Sequence, residues 1–411
     1  MQVNCRHCSQ ELVNIFLDLG TAPPSNAYLS KEDLNNEEPY FPLKVMVCDQ
    51  CWLVQTLDYT SAEELFSKDY AYFSSTSSSF LLHAKEYSKN MINSLSLSED
   101  SFVIEIASND GYLLKNFVEK NIPCLGIEPT HSTADAAEKL DIPVLREFFG
   151  EDIGIELSRS GKQADLIAGN NVFAHVPDIN DFSKGLAAAL KPTGTITLEF
   201  PHLMKLLEFY QFDTVYHEHF SYLSLHVVTS IFKLAGLRIY HVEELHTHGG
   251  SIRVFGCHEN SDIAETDSVR LMVEREFKFG IKEINTYNSF QEIADQIRDS
   301  FLKFIDNARL SNKIIAGYGA AAKGNTLMNY AGVQANDIKF VCDAATAKQN
   351  HFLPGSRIPI LHPDQLVSHE VDYIIIFPWN IALEVKQQLR KKIKYKTKFV
   401  TFIPEVIIED L

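Results

Sequence analysis

Short apolar runs alternate along much of the chain with segments in which apolar residues recur every three or four positions, the rhythm of an α/β protein. Phe102-Val103-Ile104-Glu105-Ile106-Ala107 is a buried-strand run, Ser108-Asn109-Asp110-Gly111 a tight polar turn, and Tyr112 to Phe117 an amphipathic helix start. Pro123 to Glu128, Ile142 to Leu145, Ala164 to Gly169 and Gly194 to Phe200 continue as strands, with helical patterns such as Phe182 to Leu190 between them. After a helix-like run from Leu225, Leu237 to Val242 and Ser251 to Cys257 read as strands. Asp262 to Asn312 is charged and helix-periodic, a bridge to a second α/β unit that opens with the strand and turn Lys313 to Gly319 and a helix from Ala320. Ser61 to Leu97 reads as a helical connection containing the serine-rich run Ser74 to Ser79, either a linker or a hydroxyl-lined cover over a ligand.

The two strand-turn-helix openings predict different ligands. In the first, Glu128 ends the second strand about twenty residues after the turn, where a carboxylate can accept from both hydroxyls of a ribose. The turn itself has one glycine and no GxGxxG, so no pyrophosphate cradle is evident, and ribose without pyrophosphate suggests S-adenosylmethionine. Taken alone, Glu128 could equally cap the next helix. In the second unit, Gly319, Lys323 and Asn325 surround a helix start whose N–H groups attract phosphate. That segment fits neither the P-loop nor the dinucleotide fingerprint, so a nucleotide-sugar pyrophosphate competes with a fold that holds no ligand. Arg253, beside the Gly249-Gly250 turn, could reach a phosphate, although a hairpin with exposed histidines explains that segment nearly as well.

Proton chemistry concentrates in Tyr216-His217-Glu218-His219-Phe220-Ser221-Tyr222. On a helix, Tyr216 and His219 would share a face. The HExxH pattern of zinc proteases is absent, because Ser221 stands where its second histidine would be. The alternative is a wet interdomain turn with surface histidines.

At 411 residues, two or three domains are expected. A hydrophobic share of 45% and a charged share of 22% are those of a globular chain, and the net charge of −17 argues against nucleic-acid or anionic-membrane partners. No apolar run is long enough to span a bilayer and the start lacks a signal peptide's core, so the expected location is cytoplasmic. Four of the seven cysteines form two CxxC knuckles, Cys5/Cys8 and Cys48/Cys51, which together complete the tetrahedral shell of a structural zinc; a redox dithiol is the lesser alternative. Such a shell has no open position, so this metal holds the fold and His7 is spare.

In order along nearly the whole chain, Cys5xxCys8, Cys48xxCys51, Glu105-Ile-Ala-Ser-Asn109-Asp110-Gly111, Gly126-Ile-Glu128-Pro129, Asn170-Asn171-Val-Phe-Ala-His175-Val and Tyr216 to Tyr222 resemble the nucleotide-sugar C-methyltransferases. Ala107 departs from the pattern, since many members carry glycine there. The resemblance implies a class I methyltransferase Rossmann-like domain between a small zinc-binding N-terminal domain and a second Rossmann-like domain, with limits near 1–65, 66–245 and 246–411. It implies S-adenosylmethionine held by Glu105, Ala107, Asn109, Asp110, Gly111, Glu128, Pro129, Asn170 and Asn171. The expected substrate is a nucleotide-linked 4-keto sugar, probed first as a dTDP-deoxysugar, methylated next to the ketone. His219 is the natural base, near its useful pKa. Glu218 could tune an imidazole, Tyr216 and His175 could donate to the keto oxygen, and the resemblance places Tyr70 over the reacting centre. Two other readings are an NAD-dependent nucleotide-sugar oxidoreductase or epimerase using the C-terminal glycine turn, and a non-catalytic nucleotide-sugar-binding protein.

Overall fold

The computed structural model describes residues 3–57, 74–76 and 78–411. Tyr70, expected over the reacting centre, lies outside the described residues.

Three sheets organise the molecule. Strands β1 (Asn14–Ala22), β2 (Phe41–Val47) and β3 (Val54–Thr56) form an antiparallel N-terminal sheet. The middle unit contributes β4 (Val103–Ile106), β5 (Cys124–Ile127), β6 (Val144–Leu145), β7 (Ala164–Asn170) and β8 (Leu190–Pro201). After β8 the chain makes β9 (Ser221–Tyr222), which leaves the middle unit and pairs back onto β3. It then returns as the hairpin β10 (Leu237–Leu245) and β11 (Ser251–His258). The middle sheet runs β10-β11-β8-β7-β4-β5-β6, with β11 antiparallel to both neighbours and β4 to β8 parallel. This is a doubly wound sheet whose topological switch lies at β4, between β5 and β7, where ligands bind at the strands' C-terminal ends. The expected strands are all present, and the sheet reaches past residue 245 because β11 is its central antiparallel member.

The bridge expected over 262–312 consists of helices Asp267–Phe279, Ile284–Asn288 and Phe290–Leu310. Gly280 ends the first of them in the left-handed conformation glycine allows. Glu276 on that helix ties it to the middle unit. Its carboxylate accepts from the backbone N–H groups of Leu225 and His226, at 2.6 and 2.8 Å, and meets buried His202 at 2.6 Å. The last unit holds β12 (Ile315–Tyr318), β13 (Val341–Cys342), β14 (Ile360–Leu361), β15 (Tyr373–Ile376), β16 (Lys398–Thr401) and β17 (Ile407–Asp410) in the order β14-β13-β12-β15-β16-β17, parallel except for β17. Val341, Ile360, Ile375 and Val400 pack in one core with Phe16 and Val45 of the N-terminal sheet, so first and last units share buried surface. Among the described residues, no helix is long and apolar enough to cross a membrane.

Candidate active site

The four knuckle thiols converge so that the sulfurs of Cys5, Cys8, Cys48 and Cys51 all lie within 4.8 Å of one another. A tetrahedral Zn–S length near 2.3 Å fits four sulfurs in that space, and Cys₄ is a closed structural donor set. The other three cysteines are buried and free. His7 takes no part. Its Nδ1 meets Asn180 Oδ1 at 2.8 Å and its Nε2 meets Ser230 Oγ at 3.0 Å, which docks the zinc knuckle on two helices of the middle unit. His7→Ala is therefore expected to lower the melting temperature by a few degrees, the effect of about 1–2 kcal/mol of lost hydrogen bonding, without releasing zinc. Differential scanning calorimetry with metal analysis checks both.

At the switch point, the turn after β4 is shaped for close approach. Ala107 and Asn109 have left-handed φ of 55° and 50°, and a Cβ on Gly111 would lie 2.5 Å from Ile142. Asn109 N–H donates to Glu128 Oε2 at 2.9 Å and Thr130 N–H to Oε1 at 2.8 Å, fixing the carboxylate beside the turn with a further lone pair on each oxygen. Burial, then the nearby charges of Asp110 and Glu128, pushes the Glu105 carboxyl well up. One oxygen each of Glu105, Asp110 and Asn170 is buried without a partner among the described residues. Such an acidic, unsatisfied set suits a ligand carrying an ammonium and a sulfonium, and Glu128 suits ribose hydroxyls, so these residues fit S-adenosylmethionine. Pro129 follows Glu128 half-buried, and Asn171, with φ 56°, donates its N–H to the Glu199 carbonyl at 2.8 Å. The start of the serine run is bonded to the turn: Ser74 N–H donates to Asn109 Oδ1 at 2.9 Å and Ser75 N–H to Asp110 Oδ2 at 3.1 Å.

The Tyr216 to Tyr222 loop meets the segment that follows β7, the neighbour of β4. It is a turn rather than the helix that would have aligned Tyr216 with His219, because His219 N–H bonds the Tyr216 carbonyl at 3.0 Å and the chain then extends into β9. The two rings still meet, with centroids 4.0 Å apart, and His175 stands 4.7 Å from His219. His219 Nδ1 donates to the Thr214 carbonyl at 2.9 Å and His175 Nδ1 to the Glu218 carbonyl at 2.7 Å. A carbonyl can only accept, so both imidazoles carry their proton on Nδ1, which leaves each Nε2 an acceptor. Burial holds His219 well below the ordinary histidine pKa and brings His175 down to about 4, so both are neutral at physiological pH.

The neighbours in the loop divide differently. His217 turns away to the N-terminal sheet, its Nε2 3.3 Å from the Phe41 carbonyl. The Glu218 carboxyl meets Asn26, at 3.1 Å, so it tunes no imidazole by side-chain contact; its backbone carbonyl orients His175 instead.

Two substrate-binding expectations are corrected. Arg253 is 4% exposed; its guanidinium is occupied by Glu199 and Glu243 and lies over the Tyr87 ring, so it has no hand free for a phosphate. Asn325 is fully buried and donates to the Ser25 carbonyl at 2.7 Å, joining the last unit to the first. Gly319 keeps φ 89°, and a Cβ there would strike Pro378 at 2.4 Å. Lys323 lies 4.2 Å over the Trp379 ring, its Nζ 3.0 Å from Asn380 Oδ1, and burial lowers its ammonium pKa to about 8. At the end of β13, Asp343 accepts from Ala320 N–H at 2.7 Å and Ala345 N–H at 2.8 Å, repeating the clasp that Glu128 makes in the middle unit.

Four groups went unrecognised in the sequence. Asp213 is buried, which raises its carboxyl pKa to about 6, and it accepts from Trp379 Nε1–H at 2.7 Å. His248 is no exposed hairpin histidine: it is half-buried at φ 54°, against Phe80, with its Nε2 unpartnered among the described residues. The fourth, His83, bonds Glu199 at 2.8 Å. No local signal finds these residues, since each meets the site from a different element; the Gly249-Gly250 turn beside His248 was the one available hint.

A family model for a C-methyltransferase C-terminal domain matches residues 246–404, one for a zinc binding domain residues 5–66, and one for a methyltransferase domain residues 82–242. The C-methyltransferase NovU of Streptomyces niveus is 32% identical over 401 residues, 98% of this chain and 95% of that protein. Solved structures similar to the middle unit include magnesium protoporphyrin IX methyltransferase of Synechocystis PCC 6803 with bound SAH, 12% identical over 43% of this chain and 83% of that one at a TM-score of 0.35. An S-adenosylmethionine-dependent methyltransferase of Clostridium acetobutylicum is 12% identical over 42% and 90%, at 0.34. At such TM-scores these two carry no weight beside the order of the sheet. With the Cys₄ knuckle, the acid-lined turn at the switch point and a relative matched from end to end, the chain belongs to the S-adenosylmethionine-dependent C-methyltransferases and carries a structural zinc.

Proposed function

We propose that the protein methylates the carbon next to the 4-keto group of a nucleotide-linked deoxysugar, with dTDP as the nucleotide of first choice, through an enolate. The observation that carries this reading is the His219 imidazole, neutral, fixed by the Thr214 carbonyl with Nε2 left to accept, and flanked by Tyr216 and by His175, which follows β7 at the switch point. Carbon methylation requires removal of a weakly acidic C–H, and a base is useful only if it is unprotonated and held in place. His219 Nε2 takes the proton α to the ketone. Tyr216 is a hydrogen-bond donor to the oxygen on which negative charge develops, where a preoriented donor in a dry site is worth most. With its proton on Nδ1, His175 has no Nε2–H to donate to that oxygen, so in this tautomer its Nε2 can only accept. Bound at the switch point, S-adenosylmethionine supplies an electrophilic methyl group.

The nucleotide lies, in this reading, against the last unit, where Lys323 supplies positive charge and Asp343 reproduces the Glu128 clasp. The parts then divide near the expected limits, with the β11 strand added to the middle domain. Incubation with methyl-labelled S-adenosylmethionine and a panel of nucleotide 4-keto sugars, followed by NMR of the product, tests the proposal; label on oxygen or nitrogen, or no transfer to any keto sugar, would refute it. Glu128→Gln is expected to weaken S-adenosylmethionine binding by about tenfold or more, since a charge-assisted hydrogen bond contributes about 1.5–3 kcal/mol. Isothermal titration calorimetry measures that loss.

A further inference from the structure

Trp379 belongs to the last unit, yet it touches both polar turns of the site. Its indole N–H donates to Asp213 at 2.7 Å, and Asp213 adjoins Thr214, whose carbonyl receives the Nδ1 proton of His219. Its six-membered ring lies on Gly249, where a Cβ would come within 2.3 Å of Cη2, and Gly249 adjoins His248. Gln211 links the same two turns, donating to the Gly249 carbonyl at 2.8 Å. Lys323 Nζ sits over the same indole, 4.2 Å from the ring centroid. One turn along the Lys323 helix, Thr326 donates to the Val215 carbonyl at 2.8 Å, a second bond from the last unit to the strand leading into His219.

We propose that Trp379 and Asp213 are positioning residues for proton abstraction, forming a latch by which the last unit holds the Thr214 carbonyl, and through it the Nδ1–H tautomer of His219. The inference rests on the reading of His219 as the base. An indole N–H is a donor with no acceptor capacity, so its partner must be an acceptor, and the buried Asp213 oxygen fills that role. Loss of the bond frees the turn and lets water reach an imidazole that the fold keeps neutral. His219 is faced by His175 after β7, by Tyr216 and Tyr222 in its own loop, by His248 from the hairpin and by Lys323 from the last unit; Asp213 is faced by Lys323 and Trp379.

The test compares Asp213→Ala and Trp379→Phe, which lose the bond, with Asp213→Asn, whose amide oxygen still accepts it. Imidazole nitrogen NMR of the full-length zinc-loaded protein, with His219→Gln identifying the signal, reports the tautomer without substrate. The expected result is a single Nδ1–H form from pH 6 to 8 in the wild type and in Asp213→Asn. In the other two, protonation begins within that range, kcat on a dTDP-4-keto-6-deoxy sugar falls about tenfold or more while KM changes little, and the double variant is no worse than either single one. Arg357→Ala, which removes contacts from the last unit to the Leu34 and Asn36 carbonyls, controls for stability and is expected to leave the tautomer unchanged. Unaltered His219 signals in both Asp213→Ala and Trp379→Phe would overturn the latch. Full methyl transfer by His219→Gln would instead overturn the base assignment while leaving the spectra interpretable.

Discussion

His219→Gln is expected to slow methyl transfer by about 10²- to 10⁴-fold, the range over which positioned general bases act, with S-adenosylmethionine affinity unchanged. Glutamine is the informative replacement because its amide can still donate to the Thr214 carbonyl, so the loop keeps its anchor and loses only the basic nitrogen. The cofactor turn is built separately on β4 and β5, and no contact joins Glu128 or Gly111 to the imidazole among the bonds described above. Single-turnover transfer from labelled cofactor gives the rate, calorimetry gives the affinity, and exchange of the sugar's α-hydrogen in D2O gives the proton step by itself. Exchange at the wild-type rate in the variant would remove His219 as the base.

The same burial sets a pH dependence of opposite origin to an ordinary salt bridge. His175 and His248 are each brought down to about 4 from the ordinary 6.5, and His217 and His219 are lowered too, in every case first by burial. Between about pH 6.5 and 4 the unfolded chain binds protons that these folded imidazoles refuse, so stability declines as pH falls through that window and is unaffected by them above it. Burial holds His219, the proposed base, well below the ordinary histidine pKa as well. Activity should therefore hold at mildly acidic pH until unfolding, rather than His219 titration, removes it; parallel melting and rate profiles from pH 8 to 5 check this.

Much of the architecture was legible because parallel strands buried on both faces read as continuous apolar runs, as Leu166 to Ala168 and Ile374 to Ile376 do, and because each turn follows such a run directly. CxxC spacing is likewise local, and so was the Cys₄ shell. The Tyr216 loop was legible as chemistry and not as shape: its aromatic and polar residues fit a helical spacing, but pairing of Ser221 and Tyr222 with β3 draws the segment into an extended path. Arg253 misled for a related reason. An arginine beside a glycine turn looks available, and only the cross-strand register that sets it opposite Glu199 and Glu243 shows it consumed. Asp213 and Trp379 are 166 positions apart, so nothing in either neighbourhood announces the bond; it exists because the turn over Phe212–Thr214 packs against the last unit.

Removing the zinc is expected to abolish methyl transfer while S-adenosylmethionine still binds, although the metal takes no part in the chemistry. The path runs through β3. Its Thr56 bonds the His219 carbonyl through Oγ1 at 2.9 Å and the Phe220 carbonyl through N–H at 3.2 Å, and Val54 and Gln55 pair with β9. Cys48 and Cys51 immediately precede this strand, with Cys48 N–H bonded to Leu53, and Cys5 and Cys48 belong to the core shared with the middle unit. Structural zinc in small domains binds with about 10–16 kcal/mol, as much as the whole net stability of a typical domain at about 5–15 kcal/mol. Four thiols brought within 4.8 Å have no comparable attraction of their own, so the short N-terminal sheet loses its main support once the metal leaves. With β3 displaced, the His219 and Phe220 carbonyls lose their donors and the imidazole loses the frame that holds Nε2 toward the substrate. The acid-lined turn between β4 and β5 belongs to a different sheet, and its Tyr112 side packs in a core that holds none of the knuckle cysteines, so it keeps its shape. Titrating the thiols with a mercurial while following zinc release by a colorimetric chelator should show activity falling in step with metal loss, with cofactor affinity by calorimetry within about threefold of the starting value. Methyl transfer that survives complete zinc release would mean that β9 and the His219 loop stand without the knuckle.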